Sequence, residues 1–93
     1  MKFQYSEKKV KLPGNVHAYA EKKVMKLGRF FDEEAEALVV FSVEKNRNNV
    51  ELTVHGAGTW FRASESTSDM FASIDAAVGT IERQIRKNKT RLS

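Results

Sequence analysis

From Ala37 to Ser64 the chain runs through three stretches of strand-like composition, and the links between them are too short for anything but hairpins. Successive side chains of a strand point to opposite faces, so strict alternation marks one buried and one solvated side. Val50, Leu52 and Val54 alternate with Glu51, Thr53 and His55, and Phe61 and Ala63 stand opposite Trp60 and Arg62. Ala37 to Glu44 is apolar on both sides, with Leu38 and Val40 on one and Val39, Phe41 and Val43 on the other. That pattern predicts a central strand. Asn46-Arg47-Asn48-Asn49 and Gly56-Ala57-Gly58 carry turn chemistry, so an antiparallel meander is expected. Such a sheet must bury one face against another layer.

The flanking segments supply that layer. Lys2 to Ser6 alternates and reads as a first strand with Phe3 and Tyr5 on one face. Pro13-Gly14-Asn15 then opens a helix, with Pro13 tolerated in the first turn and Asn15 the other candidate cap. Val16, Ala20, Val24, Leu27 and Phe31 fall within roughly 80° of helix surface. Gly28 costs about 1 kcal/mol against Ala there, so the last turn should be weak. Asp32-Glu33-Glu34 ends the segment as a solvated acidic loop. Ser66 as cap and Asp69 three residues on can form a capping box. The last helix carries Met70, Ile74, Ala77, Ile81 and Ile85 on one stripe, with Val78 at its margin. The order β-α-β-β-β-α predicts an α+β two-layer sandwich: a four-stranded mixed sheet with both helices on one face. The first two strands should be parallel through a right-handed crossover.

With 93 residues, 41% of them hydrophobic and 30% charged, the chain has enough material for one core. It has no cysteine, which excludes disulfide scaffolds, thiolate metal sites and cysteine nucleophiles. The longest apolar run, residues 37–41, is too short to span a bilayer, and Met1 to Tyr5 lacks a secretory apolar stretch. The expectation is one cytoplasmic domain over residues 1–93, with no membrane partner. His17 and His55 lack paired ligand spacing. Asp32, Glu33, Glu34 and Glu36 lack the alternating ligands and glycine of a calcium loop. No phosphate-cradling glycine loop precedes a helix, and Ser64, Ser66 and Ser68 have no placed base. No catalysis, metal, cofactor or small-molecule substrate is expected. Tyr5, Trp60 and Phe61 could stack on bases, against ordinary core packing for whichever ring faces the helices.

Charge is unevenly spread. Residues 1–29 carry +6, residues 30–82 carry −7 and residues 83–93 carry +5. On the helical wheel Lys22, Lys23, Lys26 and Arg29 lie away from the apolar stripe, and Arg83, Arg86 and Lys87 lie opposite theirs. Two basic segments brought together by folding suit a polyanion. Solvation of exposed faces and the negative end of the helix dipole would place Arg86, Lys87 and Lys89 equally well.

Asp69-Met70-Phe71-Ala72-Ser73-Ile74-Asp75, followed by Ile81-Glu82-Arg83-Gln84-Ile85-Arg86-Lys87-Asn88-Lys89-Thr90, closely resembles the last helix of the ribosome hibernation-promoting factor family. That family is also called ribosome-associated inhibitor A or the sigma-54 modulation protein family. Glu21 to Phe31 is similar to its first helix. The resemblance implies a fold like that of double-stranded RNA-binding domains. It also implies a domain lodged in the decoding channel of the small ribosomal subunit, blocking mRNA and tRNA in stationary phase or stress. Matched position by position, the implied rRNA-binding residues are Lys23, Lys26, Arg29, Arg83, Arg86, Lys87 and Lys89. The charge pattern alone adds Lys22 and Arg91. Leu12-Pro13-Gly14 departs from the family's Thr-Pro, and Gly28 from a charged residue. Residues 85–91 look like the long form, whose C-terminal domain pairs ribosomes. The 93 residues are therefore expected to be a ribosome-binding domain, standing alone or as the N-terminal part of a longer protein. A second ribosome is a partner only where such a domain follows. The competing expectations are a stand-alone double-stranded RNA-binding module and a protein-interaction module using the open sheet face through Trp60 or Val39.

Overall fold

The structure is a computed structural model that describes residues 1–88. Strand β1 (Lys2–Lys8) leads to helix α1 (Gly14–Met25), which tightens into a 3-10 turn over Lys26–Phe30. Strands β2 (Glu36–Glu44), β3 (Arg47–Gly56) and β4 (Thr59–Thr67) follow, then helix α2 (Met70–Lys87). The sheet order is β1-β2-β3-β4. β1 and β2 are parallel, and β2–β3 and β3–β4 are antiparallel, as the alternation and link lengths predict.

One face of the sheet is dry. Ala37, Val39, Phe41, Val50, Leu52, Val54, Phe61 and Ala63 are all buried, under α2 across β3 and β4 and under α1 beside β1. The α1 stripe predicted from period (Val16, Ala20, Val24, Leu27 and Phe31) is buried, as are Met70, Ile74, Ala77, Ile81 and Ile85 of α2. Val39 belongs to this dry face at 1% exposure, so it is not available to a partner on the open sheet face. There Leu38 and Trp60 are exposed instead.

Local boundaries differ from the sequence reading in ways with physical causes. Pro13, extended at φ −62° and ψ 152°, is the N-cap residue of α1, and no side chain caps that end, so Asn15 does not serve. Ser66 is not the cap of α2, because β4 runs on to Thr67. Asp69 takes the role, its Oδ1 accepting from the Phe71 N–H at 3.2 Å. The β2–β3 link is Lys45-Asn46 alone, with Lys45 at φ 52°, and Asn48 and Asn49 already pair with Val43 and Ser42. Gly56 ends β3 rather than forming the turn. The turn is Ala57-Gly58, both at positive φ (52° and 74°), the geometry that matches hairpin twist.

Two contacts fix the layers. A Cβ on Gly56 would stand 2.6 Å from Phe31 Cδ1 and 2.9 Å from Ala35 Cβ, so the chain leaving α1 can press onto β3 only where no side chain intervenes. Ser73 is the one buried polar residue among those described. Its hydroxyl donates to the Asn48 carbonyl at 2.7 Å and shares a 2.7 Å contact with Thr67 Oγ1. It thereby ties the start of α2 to the start of β3.

Candidate nucleic-acid interface

An odd number of strands separates the two helices, so both run in the same direction across the sheet. Contacts along their seam show it. Tyr19 of α1 meets Phe71 edge-on at 5.0 Å and donates to Asp75 Oδ1 at 2.8 Å. Further along, Arg29 reaches Glu82 at 3.4 Å, and the Arg86 guanidinium lies 5.5 Å from the Phe30 ring centre. Parallel helices put both C-terminal ends at one end of the molecule. Both ends carry cations in their last turns: Lys22 and Lys23 on α1, Arg29 on the 3-10 turn, Arg86 and Lys87 on α2. Two negative dipole ends also meet there, which favours this placement.

The cations divide by what they touch. Arg29 and Arg86 converge on the same two groups. Their guanidinium carbons lie 4.7 and 5.5 Å from the Phe30 ring centre, and both reach Glu82, at 3.4 and 3.0 Å. Lys23 is half-buried, 4.0 Å from Asp75 and 5.4 Å from the Tyr19 ring centre. Arg83 donates to Thr80 Oγ1 at 3.0 Å. Lys22, Lys26 and Lys87 are exposed and form no ion pair among the described residues. On the α2 wheel Arg86 leans toward α1, Arg83 points straight outward and Lys87 leans toward β4. The result is one band over both helices, with Asp75 and Glu82 set into its seam. Lys89 and Arg91 lie outside the described residues.

Asp75 and Glu82 temper the band without closing it. Arg29 and Arg86 keep 56% and 60% of their side chains exposed, and such pairs are each worth about 0–1 kcal/mol. An incoming phosphate can exchange for them. Asp75 also holds the Tyr19 phenol proton. The hydrogen bond to Asp75, then desolvation, then the charges of Asp75 and Asp69 raise the Tyr19 pKa above the ordinary tyrosine value. The charge pattern does not single out Phe30, Tyr19 or Asp75. Of the seam's signals, only the Glu82/Arg86 spacing of four is visible in sequence.

The histidines sit apart from the band. His17 stacks on Tyr5 at 4.0 Å, with Nε2 3.4 Å from Glu7 Oε2 but outside hydrogen-bond geometry. That Glu7 oxygen also accepts from the Leu12 N–H. His55 stacks on Trp60 across the open sheet face. Among the described residues no three His, Asp or Glu side chains gather to hold a metal ion, and no helix is long and apolar enough to cross a membrane.

Comparison with known proteins agrees with this architecture. A ribosome hibernation promotion factor of Deinococcus radiodurans is 37% identical, covering 96% of this chain and 49% of the relative. One from Lactococcus lactis is 32% identical, covering 100% and 52%. The chain thus spans about half the length of these two relatives. The N-terminal domain of Thermus thermophilus Protein Y superposes with a TM-score of 0.85 at 30% identity, over 94% of this chain and 98% of that one. A ribosomal subunit interface protein of Coxiella burnetii shares the fold at a TM-score of 0.81 and 21% identity, over 94% of this chain and 96% of its own. The sigma 54 modulation protein / S30EA ribosomal protein family pattern matches residues 3–93, and the chain belongs to that family.

Proposed function

We propose that this chain is the ribosome-binding part of a hibernation factor, and that it seats on the small subunit through its basic helix band. Lys22, Lys23, Lys26, Arg29, Arg83, Arg86 and Lys87 contact rRNA phosphates, joined by Lys89 and Arg91. The folded domain then fills the decoding channel and keeps mRNA and tRNA out. The mechanism is occlusion rather than chemistry. Cations displace condensed counterions from the phosphates, which supplies affinity without base readout. Shape then decides where the domain fits.

The observation that carries this reading is the parallel pair of helices. It lines up cations from sequence positions 22–29 and 83–87 along one helix layer, with Lys23 beside Asp75 and with Arg29 and Arg86 on a single phenyl ring. The names of the relatives, ribosome hibernation promotion factor, point the same way. The test is Lys26→Glu combined with Arg86→Glu. Both side chains are exposed, so circular dichroism should show an intact fold while co-sedimentation with small subunits disappears. Undiminished co-sedimentation of the folded double variant would remove the helix band as the contact surface.

A further inference from the structure

The open face of the sheet carries a second feature that the helix band does not use. Strand register arranges its outward side chains in rows. One row runs Lys2, Glu36, His55, Trp60, and the next runs Gln4, Leu38, Thr53, Arg62. His55 and Trp60 stack at 3.9 Å between ring centres and 9° between planes. Trp60 is nevertheless 60% exposed. It stands on β4, an edge strand, so no further strand covers the indole on the side away from His55. Beside the pair opens a cleft of about 270 Å³, floored by Leu38 and Thr53 and bounded by Gln4 and Arg62.

We propose that this end of the sheet face binds an unpaired RNA base stacked on Trp60, with Arg62 taking an adjoining phosphate. A flat, rigid, solvent-facing aromatic pair suits the face of any base. A four-stranded sheet with helices behind it and aromatics in front is a recurrent way to hold single-stranded RNA. Arg62 follows Trp60 by two residues, so it projects from the same face about 7 Å along the strand. It is exposed and forms no ion pair among the described residues. The cleft's one acid, Glu36, shares the Trp60 row but stands two strands away, about 10 Å.

Position favours RNA over a protein partner. β1 and β2 begin, β3 ends and β4 begins at the end of the sandwich where both helices finish: the Phe31 ring lies against Gly56, and Gly28 against Met1. The Trp60 row is therefore at the same end as Arg29, Arg86 and Lys87, on the opposite face. The α2 side chain next to Arg83 bridges the two faces, since Gln84 Nε2 donates to the Arg62 carbonyl at 2.9 Å. An RNA strand on the helix band can continue around the β4 edge to Arg62 and Trp60 with cations along its path. The proposal deepens the rRNA-binding reading, and it rests on that reading for the choice of RNA.

Trp60 is the only tryptophan, so its emission reports the site directly. Adding a short oligoadenylate to the full chain should quench Trp60 saturably, and a duplex of the same length should not. In anisotropy titrations with the labelled oligonucleotide, Trp60→Ala should weaken binding about tenfold, with Trp60→Phe recovering part of the loss. Arg62→Ala should weaken binding and lower the salt slope by about one. Quenching that persists in Lys26→Glu/Arg86→Glu supports the site even if the helix-band reading has failed. Unchanged emission at saturating oligonucleotide, equal quenching by duplex, or equal affinity in Trp60→Ala would overturn it. So would emission that responds to rRNA-free ribosomal proteins and not to RNA, which would assign this face to a protein.

Discussion

Single residues carry very unequal weight in this fold. Ser73 is wholly buried, and its hydroxyl meets the Asn48 carbonyl and Thr67. Ser73→Ala leaves that carbonyl without its donor and should cost about 1–2 kcal/mol, read as a lower urea midpoint with an unchanged slope. Gly56→Ala should cost about 1–3 kcal/mol by overpacking, because the new methyl group meets both Phe31 and Ala35. A lower melting temperature would show it, and an unchanged one would mean the loop before β2 yields freely. Glu82→Gln, by contrast, frees two arginines that are already more than half exposed. It should change stability by less than about 1 kcal/mol. The buried hydroxyl and the missing side chain therefore matter more to folding than the most conspicuous ion pairs.

At the scale of elements, the helix seam is the joint that matters. α1 ends early as an α-helix, and its last residues tighten into a 3-10 turn containing Gly28, where the weak helix former had been noted. The tightening still buries Leu27 and Phe31, so the apolar stripe survives the change of helix type. The Tyr19–Asp75 bond links α1 to α2 in its neutral-phenol form. Because the folded pKa is raised, its contribution is complete below the ordinary tyrosine pKa. It is lost as pH climbs through the raised value. Tyr19→Phe should abolish that part of the alkaline loss of stability, which pH-dependent unfolding curves would reveal. The β4 edge is partly covered from the helix layer: Gln84 of α2 donates to the Arg62 carbonyl at 2.9 Å, and such cover discourages edge-to-edge pairing.

For the molecule as a whole, the proposed ribosome contact depends on where net charge sits rather than on its size, since the total is only +4. On that reading the band of cations over both helices makes association sensitive to ionic strength. Small-subunit binding should fall steeply between low and physiological salt. Replacing one exposed cation, Lys22→Ala, should weaken it uniformly and reduce the salt slope by about one. A flat salt profile would point to apolar contact instead. The same end presents Trp60 on the other face, so the two surfaces can be mutated separately and their effects compared.

Much was readable from residue order because strands and helices impose different periods. Alternation at 50–54 and 59–63 and the 3.6-residue stripes at 16–31 and 70–85 are set by local geometry, and each placed its side chains on the correct face. The antiparallel meander follows from link lengths and the parallel β1–β2 pair from the helix that crosses between them, whereas the place of β1 beside β2 was set by the tertiary structure. The Asp69-Met70-Phe71 and Ile81-Glu82-Arg83-Gln84 motifs carried the family resemblance. What remained hidden depends on groups distant in the chain. Ser66 looked like the cap, with Asp69 as its partner three residues on, until the extent of β4 excluded it and gave the role to Asp69. Val39 could be assigned to neither face, because β2 is apolar on both sides and only the position of the helices chooses between them. Above all, periodicity puts Arg29 and Arg86 on outward arcs of separate helices, but it cannot say that they share Phe30 and Glu82. That pairing arises only when both helices lie side by side on one sheet, since contact between residues 57 apart is set by packing and not by local geometry.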